Sequence, residues 1–151
     1  MAFRTRKTMA STALVATVTG CAALTLAGPA SAEPQLVKDN YLEVPDCHTT
    51  TEVCAEIPSV SYWFNYPNVI VTFTANQNHC ADMIDHIMVD GYEWGFRVVG
   101  PGQSDGGQLI PLSPVPGRHT IGVKAEGIKG GCNPGSISSW GGNLHIVDVV
   151  P

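Results

Sequence analysis

The stretch RHTIGVKAE, residues 118–126, decides the fold class of this chain. Successive side chains of an extended strand point to opposite faces of a sheet. One face of this stretch carries His119, Ile121, Val123 and Ala125. The other face carries Thr120, Gly122 and Lys124. The alternation predicts a half-buried β-strand whose first face packs against a core.

Other stretches of the chain are also rich in β-branched and aromatic residues, and clusters of Gly, Pro, Asn and Asp separate them. These features predict strands joined by turns. The further predicted strands cover residues 59–65, 69–75, 84–89, 93–99, 108–112 and 143–149. About seven short strands at this spacing predict an all-β fold, a single antiparallel β-sandwich over residues 46–151, with a β-barrel as the second architecture.

Two segments of the chain resemble the late strands of bacterial immunoglobulin-like and fibronectin-III-like domains. They are IMVDG, residues 87–91, and PGRHTIGVKAEG, residues 116–127, in which a turn of the form PG-x-H-T leads into an alternating strand. The N-terminal segment resembles that of small exported actinobacterial proteins. The resemblance implies an immunoglobulin-like scaffold for adhesion or ligand binding, although a fold alone does not fix a function.

The N-terminus has the pattern of a bacterial secretory signal peptide over residues 1–32. Basic residues precede a long apolar run, and the run ends at Ala30-Ser31-Ala32, a typical cleavage site. We expect residues 33–45 to form a flexible leader and the protein to be secreted. The sequence VTGC, ending at Cys21, leaves one alternative open, because lipidation of this cysteine would anchor the protein to the membrane.

The charge of the chain excludes two classes of partner. Three of its 8 basic residues lie in the predicted signal peptide, whereas all 13 acidic residues follow it. The part after residue 32 is therefore strongly acidic. Phosphate backbones and anionic membrane surfaces attract basic proteins, so we expect binding neither to nucleic acid nor to a membrane.

Four cysteines follow the signal peptide, and an oxidising compartment favours two disulfides between them. Cys47 and Cys54 are close enough in sequence to close a small local loop, so we predict the pairs Cys47–Cys54 and Cys80–Cys132. Zinc binding is the alternative. It is disfavoured because the chain has no C-x-x-C pair.

The segment GQSDG, residues 102–106, matches the G-x-S-x-G pattern of serine hydrolases. In those enzymes a helix follows the nucleophile and helps to present its hydroxyl group. Here the following residues, GQLIPLSP, favour a strand or loop. We therefore interpret residues 100–107 as a connecting loop whose glycines adopt positive φ angles, with Ser104 and Asp105 as turn formers. We expect no catalytic residues.

The segment HCADMIDH, residues 79–86, places two histidines and two aspartates close together. These are ligands for zinc or copper. In an extended strand, however, Asp85 and His86 point to opposite faces, so the four side chains cannot converge without a bend. We therefore expect no metal and no cofactor.

Aromatic residues supply the candidate binding site. In GYEWGF, Tyr92, Trp94 and Phe96 share one face of an extended segment, and in SYWFNY, Trp63 stands opposite its aromatic neighbours. The core of one sandwich cannot hold all of these rings, so at least one tryptophan is expected to be exposed. The candidate ligand-binding residues are Trp63, Tyr92, Trp94 and Trp140.

The sequence thus predicts a secreted, non-catalytic binding domain. Its ligand would be a carbohydrate or a protein partner at the cell envelope, because exposed rings beside Asp, Asn and Glu suit stacking on a sugar while polar neighbours bind its hydroxyl groups. The alternatives are a small secreted enzyme inhibitor and, with less support, a metal-binding protein or a serine hydrolase.

Overall fold

A computed structural model describes residues 36–47, 52–132 and 134–151 of the chain. The predicted signal peptide, the cysteine at its centre and the beginning of the predicted leader lie outside the described residues. Within the described part, no helix is long and apolar enough to cross a membrane.

The described residues form eight β-strands. Every strand predicted from the sequence is present, with ends no more than three residues from those expected, and one further strand precedes them. The strands are β1 (Val37–Val44), β2 (Ser59–Phe64), β3 (Asn68–Ala75), β4 (Met83–Val89), β5 (Tyr92–Val99), β6 (Gln108–Pro111), β7 (Gly117–Gly127) and β8 (Trp140–Asp148).

The strands form two antiparallel sheets of four strands each. The first sheet has the order β1-β8-β3-β6, and the second has the order β2-β7-β4-β5. The first strand thus pairs with the last, and the second with the seventh. This is the arrangement of a jelly roll, an eight-stranded sandwich of two Greek keys. The immunoglobulin sandwich distributes its strands differently, with its first, second, fifth and fourth strands in one sheet.

The core lies between the two sheets and confirms the alternation predicted for β7. His119, Ile121, Val123 and Ala125 are all buried. Phe73, Leu144 and Ile146 are fully buried members of the same core and come from the first sheet. Burial of each such large side chain stabilises the fold by roughly 1.5 to 3 kcal/mol relative to its exposure. The sandwich predicted from the sequence is therefore present.

The predicted flexible leader over residues 33–45 is wrong for most of its length. Residues 37–44 form β1, which pairs along its whole length with β8. Its inward-facing positions include Lys38 and Asn40. These polar residues interrupt the apolar alternation by which a half-buried strand is recognised in a sequence. Both are accommodated by Tyr62, whose ring lies 5.7 Å below the Lys38 ammonium and whose hydroxyl donates to Asn40.

Both predicted disulfides are confirmed. Cys47–Cys54 joins residues 7 positions apart between β1 and β2, and Cys80–Cys132 joins residues 52 positions apart. The backbone N–H of Cys47 donates to Ser138, and that of Cys54 donates to Ala125. The first bridge therefore fixes the chain where it crosses from the first sheet to the second.

Candidate binding surface on the second sheet

The outer face of the second sheet carries a row of side chains across three neighbouring strands. Lys124 of β7 is paired with His86 of β4, and His86 is paired with Phe96 of β5. Because directly paired residues point to the same face of a sheet, these three side chains stand side by side. The His86 and Phe96 rings lie 5.8 Å apart.

Strand β5, at the edge of this sheet, exposes four large hydrophobic side chains. Trp94, Phe96 and Val98 form what we call the β5 surface, whereas Tyr92 pairs with the inward-facing Val89 and so points away from Phe96 and Val98. The exposed fractions of the four side chains are 80% for Tyr92, 48% for Trp94, 55% for Phe96 and 60% for Val98. Single exposed hydrophobic residues are common, but a run of them along one strand marks an interaction site.

A β-bulge in β5 sets the position of Trp94. Ile87 pairs with Gly95, but the next residue, Met88, pairs with Glu93, so Trp94 is the extra residue of the bulge. The strict alternation expected over residues 92–96 is therefore interrupted. Bulges bend a strand and redirect side chains, and they are frequent beside functional sites.

An ionic cluster borders the β5 surface and consists of His86, Glu93, Lys124 and Glu126. A Glu93 carboxylate oxygen lies 3.0 Å from His86 Nδ1 and 3.2 Å from Lys124 Nζ. A Glu126 carboxylate oxygen lies 3.3 Å from His86 Nε2. The neighbouring His86 and then Lys124 lower the pKa of Glu93 below its ordinary value. The polar groups beside the exposed rings are thus held in place before any ligand binds.

The hairpin that carries β5 is fixed to β7 by a buried histidine. His119 Nδ1 lies 2.7 Å from a carboxylate oxygen of Asp90, and its Nε2 lies 3.0 Å from the Pro114 carbonyl oxygen. Both partners are acceptors, so both ring nitrogens must donate, which only the imidazolium form can do. Asp90 and Gly91 have positive φ angles of 51° and 85°, as a tight hairpin turn requires.

The pKa values of this pair agree with its geometry. Burial by itself lowers the pKa of His119, but the hydrogen bonds to Asp90 and Pro114 outweigh burial and raise it. Burial by itself raises the pKa of Asp90, but hydrogen bonds from His119 and the Thr120 backbone outweigh it and lower the pKa. Both groups are therefore held in their charged forms, and they anchor one end of the β5 surface.

The edge of β5 is protected against the addition of another strand. The Arg97 guanidinium donates to the Phe96 carbonyl oxygen at 2.8 Å and so occupies an acceptor on the edge strand. The bulge at Trp94 disturbs the ladder further. Charged side chains and bulges are the usual devices that prevent edge-to-edge pairing. Ligand binding at this site is therefore expected through exposed side chains rather than through the backbone.

The structure does not bring the four candidate binding residues together. Tyr92 and Trp94 are both on β5, but Tyr92 pairs with Val89 and so points away from Phe96. Trp63 is 56% exposed, but it lies on β2 at the opposite edge of the sheet. Trp140 is only 3% exposed and packs edge-to-face on Phe73 in the core, so its assignment to an exposed binding face is wrong.

Several residues of the site were missed in the sequence. Val98, Glu93, Lys124 and Glu126 gave no signal of their own, and His86 was noted only as a candidate metal ligand, because their proximity depends on the pairing of β4, β5 and β7. Phe96 did give a signal, since it alternates with Tyr92 and Trp94 in the sequence.

The loop over residues 100–107 has the conformation expected from its glycines. Gly102, Gly106 and Gly107 have positive φ angles of 71°, 82° and 82°. The Ser104 hydroxyl accepts a hydrogen bond from the Gly106 backbone, and Asp105 accepts one from the Gly107 backbone. These contacts within the loop are typical of turn-forming residues.

The residues of HCADMIDH do not converge. Asp85 is fully buried between the sheets, whereas His86 faces outward beneath the β5 surface. His79 contacts the Gly141 backbone at another end of the sandwich. Within the described residues, the one group with metal-binding spacing contains Cys47 and Cys54, whose sulfur atoms form a disulfide.

No protein-family model matches the chain, and no curated protein is detectably similar to it. Its function has to follow from the chemistry of the site.

Proposed function

We propose that this protein is a secreted, non-catalytic binding domain that recognises a carbohydrate of the cell envelope through the β5 surface. The observation that carries the proposal is the exposure of Phe96, with Trp94 and Val98 on the same strand, beside a preformed ionic cluster. Aromatic rings offer flat apolar contacts, and fixed polar groups orient a ligand among them.

The chemistry of the surface supports a sugar ligand. The apolar face of a sugar ring stacks on an aromatic side chain, and its hydroxyl groups donate to carboxylates such as those of Glu93 and Glu126. Both carboxylates already contact His86, so their positions require little further ordering when a ligand binds. Lys124 supplies a donor to the same surface.

The charge of the chain indicates which sugars would bind. After residue 32, all 13 acidic residues remain but only 5 of the 8 basic ones, because Arg4, Arg6 and Lys7 lie before it. A neutral polysaccharide meets no electrostatic barrier at such a surface, whereas a strongly anionic polymer is repelled. We therefore expect neutral glycans to bind in preference to anionic ones.

The proposal includes export. Two disulfides are consistent with a protein outside the cytoplasm, where disulfides persist. In our proposal residues 1–32 direct secretion and are then removed, which places the β5 surface in the same compartment as the envelope polysaccharides.

The experiment is co-sedimentation of the oxidised protein, beginning at residue 33, with purified neutral and anionic cell-envelope polysaccharides and with peptidoglycan. Trp94→Ala and Phe96→Ala test the site. Leu109→Ala is the matched control, because it also removes a large exposed apolar side chain but lies in the first sheet, on β6. Circular dichroism confirms that each variant folds.

The expected result is saturable binding that falls about tenfold in the β5 variants and is unchanged in Leu109→Ala. Failure of the wild-type protein to bind any of the envelope polysaccharides would contradict the proposal and would favour a protein partner.

A further inference from the structure

A concave site separate from the β5 surface lies at one end of the sandwich, where β1 and β3 end and where β4 and β8 begin. It is a cleft of about 380 Å³ whose wall includes the Cys80–Cys132 disulfide. Small-molecule sites in proteins start at about 300 Å³. The cleft therefore has room for one small molecule.

The floor of the cleft is built around Gly141. The Asn76 side chain donates to the Tyr41 hydroxyl at 2.6 Å, and His79 Nε2 lies 3.1 Å from the Gly141 carbonyl oxygen. A Cβ atom on Gly141 would lie 2.9 Å from the Tyr41 hydroxyl and 3.0 Å from the Asn76 amide nitrogen. The absence of a side chain at this position thus allows Tyr41 and Asn76 to meet.

One wall of the cleft contains a buried donor without a partner. Trp140 lines the cleft and is 3% exposed, and its indole N–H has no acceptor in the described part of the chain. Buried donors in proteins are nearly always paired, so an unpaired one needs an explanation. The nitrogen itself is buried, so an oxygen atom of a ligand in the cleft would reach it only after the wall rearranges.

The cleft is negatively charged. Glu43 and Asp82 line it, and the described residues that line it include no lysine or arginine. Neither carboxylate has a hydrogen bond or ion pair to another described residue. The remaining polar lining consists of hydroxyl and amide groups, among them Ser136, Ser138 and Asn78. An organic cation that also carries hydroxyl groups matches this lining.

We propose that the cleft binds the protonated form of a small amino sugar. Its ammonium group would pair with Glu43 and Asp82, and its hydroxyl groups would bind the Tyr41 hydroxyl and its polar neighbours. An oxygen atom of the sugar would accept from the Trp140 indole. This site is separate from the β5 surface and does not depend on the function proposed for that surface.

The test is a titration of the oxidised protein, beginning at residue 33, with glucosamine at about pH 6, where amines remain protonated. The readout is the chemical shifts of the backbone amides and of the Trp140 indole N–H. N-acetylglucosamine and glucose are the comparison ligands, because they keep the sugar ring but lack the positive charge.

The expected result is saturable binding of glucosamine, with shifts at Gly141 and at the Trp140 indole, and binding of both neutral sugars that is about tenfold weaker or less. Glu43→Gln and Asp82→Asn should each weaken glucosamine binding by about tenfold. Asp39→Asn is the matched control, because it removes one carboxylate from β1 outside the cleft, and it should have no effect.

Absence of glucosamine binding would overturn the proposal, and so would equal binding of the three sugars. Shifts confined to β5 would also overturn it, because they would place the ligand on the other surface. Trp94→Ala separates the two sites, since it should leave glucosamine binding in the cleft unchanged.

Discussion

The carboxyl groups of Asp85 and Asp105 lie next to each other beneath the loop over residues 100–107. Asp85 is fully buried, and burial together with the charge of Asp105 raises its pKa from 3.8 to about 7. Asp105 in turn accepts hydrogen bonds from the backbone N–H groups of Phe73 and Gly107 at 3.1 and 2.9 Å. A protonated Asp85 therefore allows Asp105 to hold the loop against β3.

The raised pKa of Asp85 predicts that the stability of the protein falls as the pH rises between 3.8 and about 7. Over that range the unfolded chain has lost the Asp85 proton while the folded protein retains it, so rising pH favours unfolding. Asp85→Asn should remove this part of the pH dependence and raise the free energy of unfolding near pH 7 by about 2 to 4 kcal/mol.

Denaturant midpoints measured across this pH range for the wild-type protein and Asp85→Asn provide the check. The difference in the free energy of unfolding between the two proteins cancels the contributions of other carboxylates. These include Asp90 and Glu93, whose pKa values shift the other way. A difference that does not change with pH would show that Asp85 ionises normally.

His119 makes a second contribution to the pH dependence. Its raised folded pKa means that its stabilising effect is complete below the unfolded value of 6.5 and is lost as the pH rises through the folded value. His119→Gln should lower the free energy of unfolding by about 1.5 to 3 kcal/mol at acidic pH and by less at alkaline pH. Thermal denaturation of both proteins at the two pH extremes measures this, and an equal loss at both would show that the charge of the ring contributes nothing.

Gly142 is required by packing. A Cβ atom there would overlap the Phe73 ring and the Thr74 carbonyl oxygen, both of which are fixed in the first sheet. Gly142→Ala should therefore lower the free energy of unfolding by about 1 to 3 kcal/mol. Gly130→Ala is the control, since nothing lies within 4 Å of a Cβ atom at that position. In chemical denaturation, Gly142→Ala should have a lower midpoint than Gly130→Ala. Equal midpoints would show that the first sheet adapts at Gly142.

The long disulfide should make a large contribution to stability. Cys80–Cys132 closes a loop between residues 52 positions apart, and the loop-entropy relation gives about 4 kcal/mol for such a bridge. Both cysteines are exposed, so replacing them with alanine disturbs little packing. The double variant should lose about this amount in a denaturant titration. A loss below about 1 kcal/mol would mean that the unfolded chain is already restricted without the bridge.

The sequence was sufficient for strands whose inward faces are largely apolar, such as β3 with Val69, Val71 and Phe73. It was insufficient for β1, because its inward side chains include the polar Lys38 and Asn40, which contact Tyr62 on the other sheet. That contact joins residues distant in sequence. The burial of Asp85 could not be predicted for the same reason, since Asp105, which acts on it, lies in the loop over residues 100–107.

The candidate site was predictable only in part. The aromatic character of residues 92–96 was visible in the sequence, and the expectation that at least one tryptophan is exposed is confirmed by Trp63 and Trp94. The sequence could not show that Trp140 belongs to the core, because exposure depends on the neighbouring strands. Nor could it show the bulge at Trp94, which arises from the register between β4 and β5.

The most direct test of the account is the affinity of the wild-type protein and of Trp94→Ala for a neutral cell-envelope polysaccharide, with Leu109→Ala measured in parallel. The account predicts saturable wild-type binding, about tenfold weaker binding by Trp94→Ala and unchanged binding by Leu109→Ala. Equal binding by all three proteins would contradict the assignment of the β5 surface as the binding site.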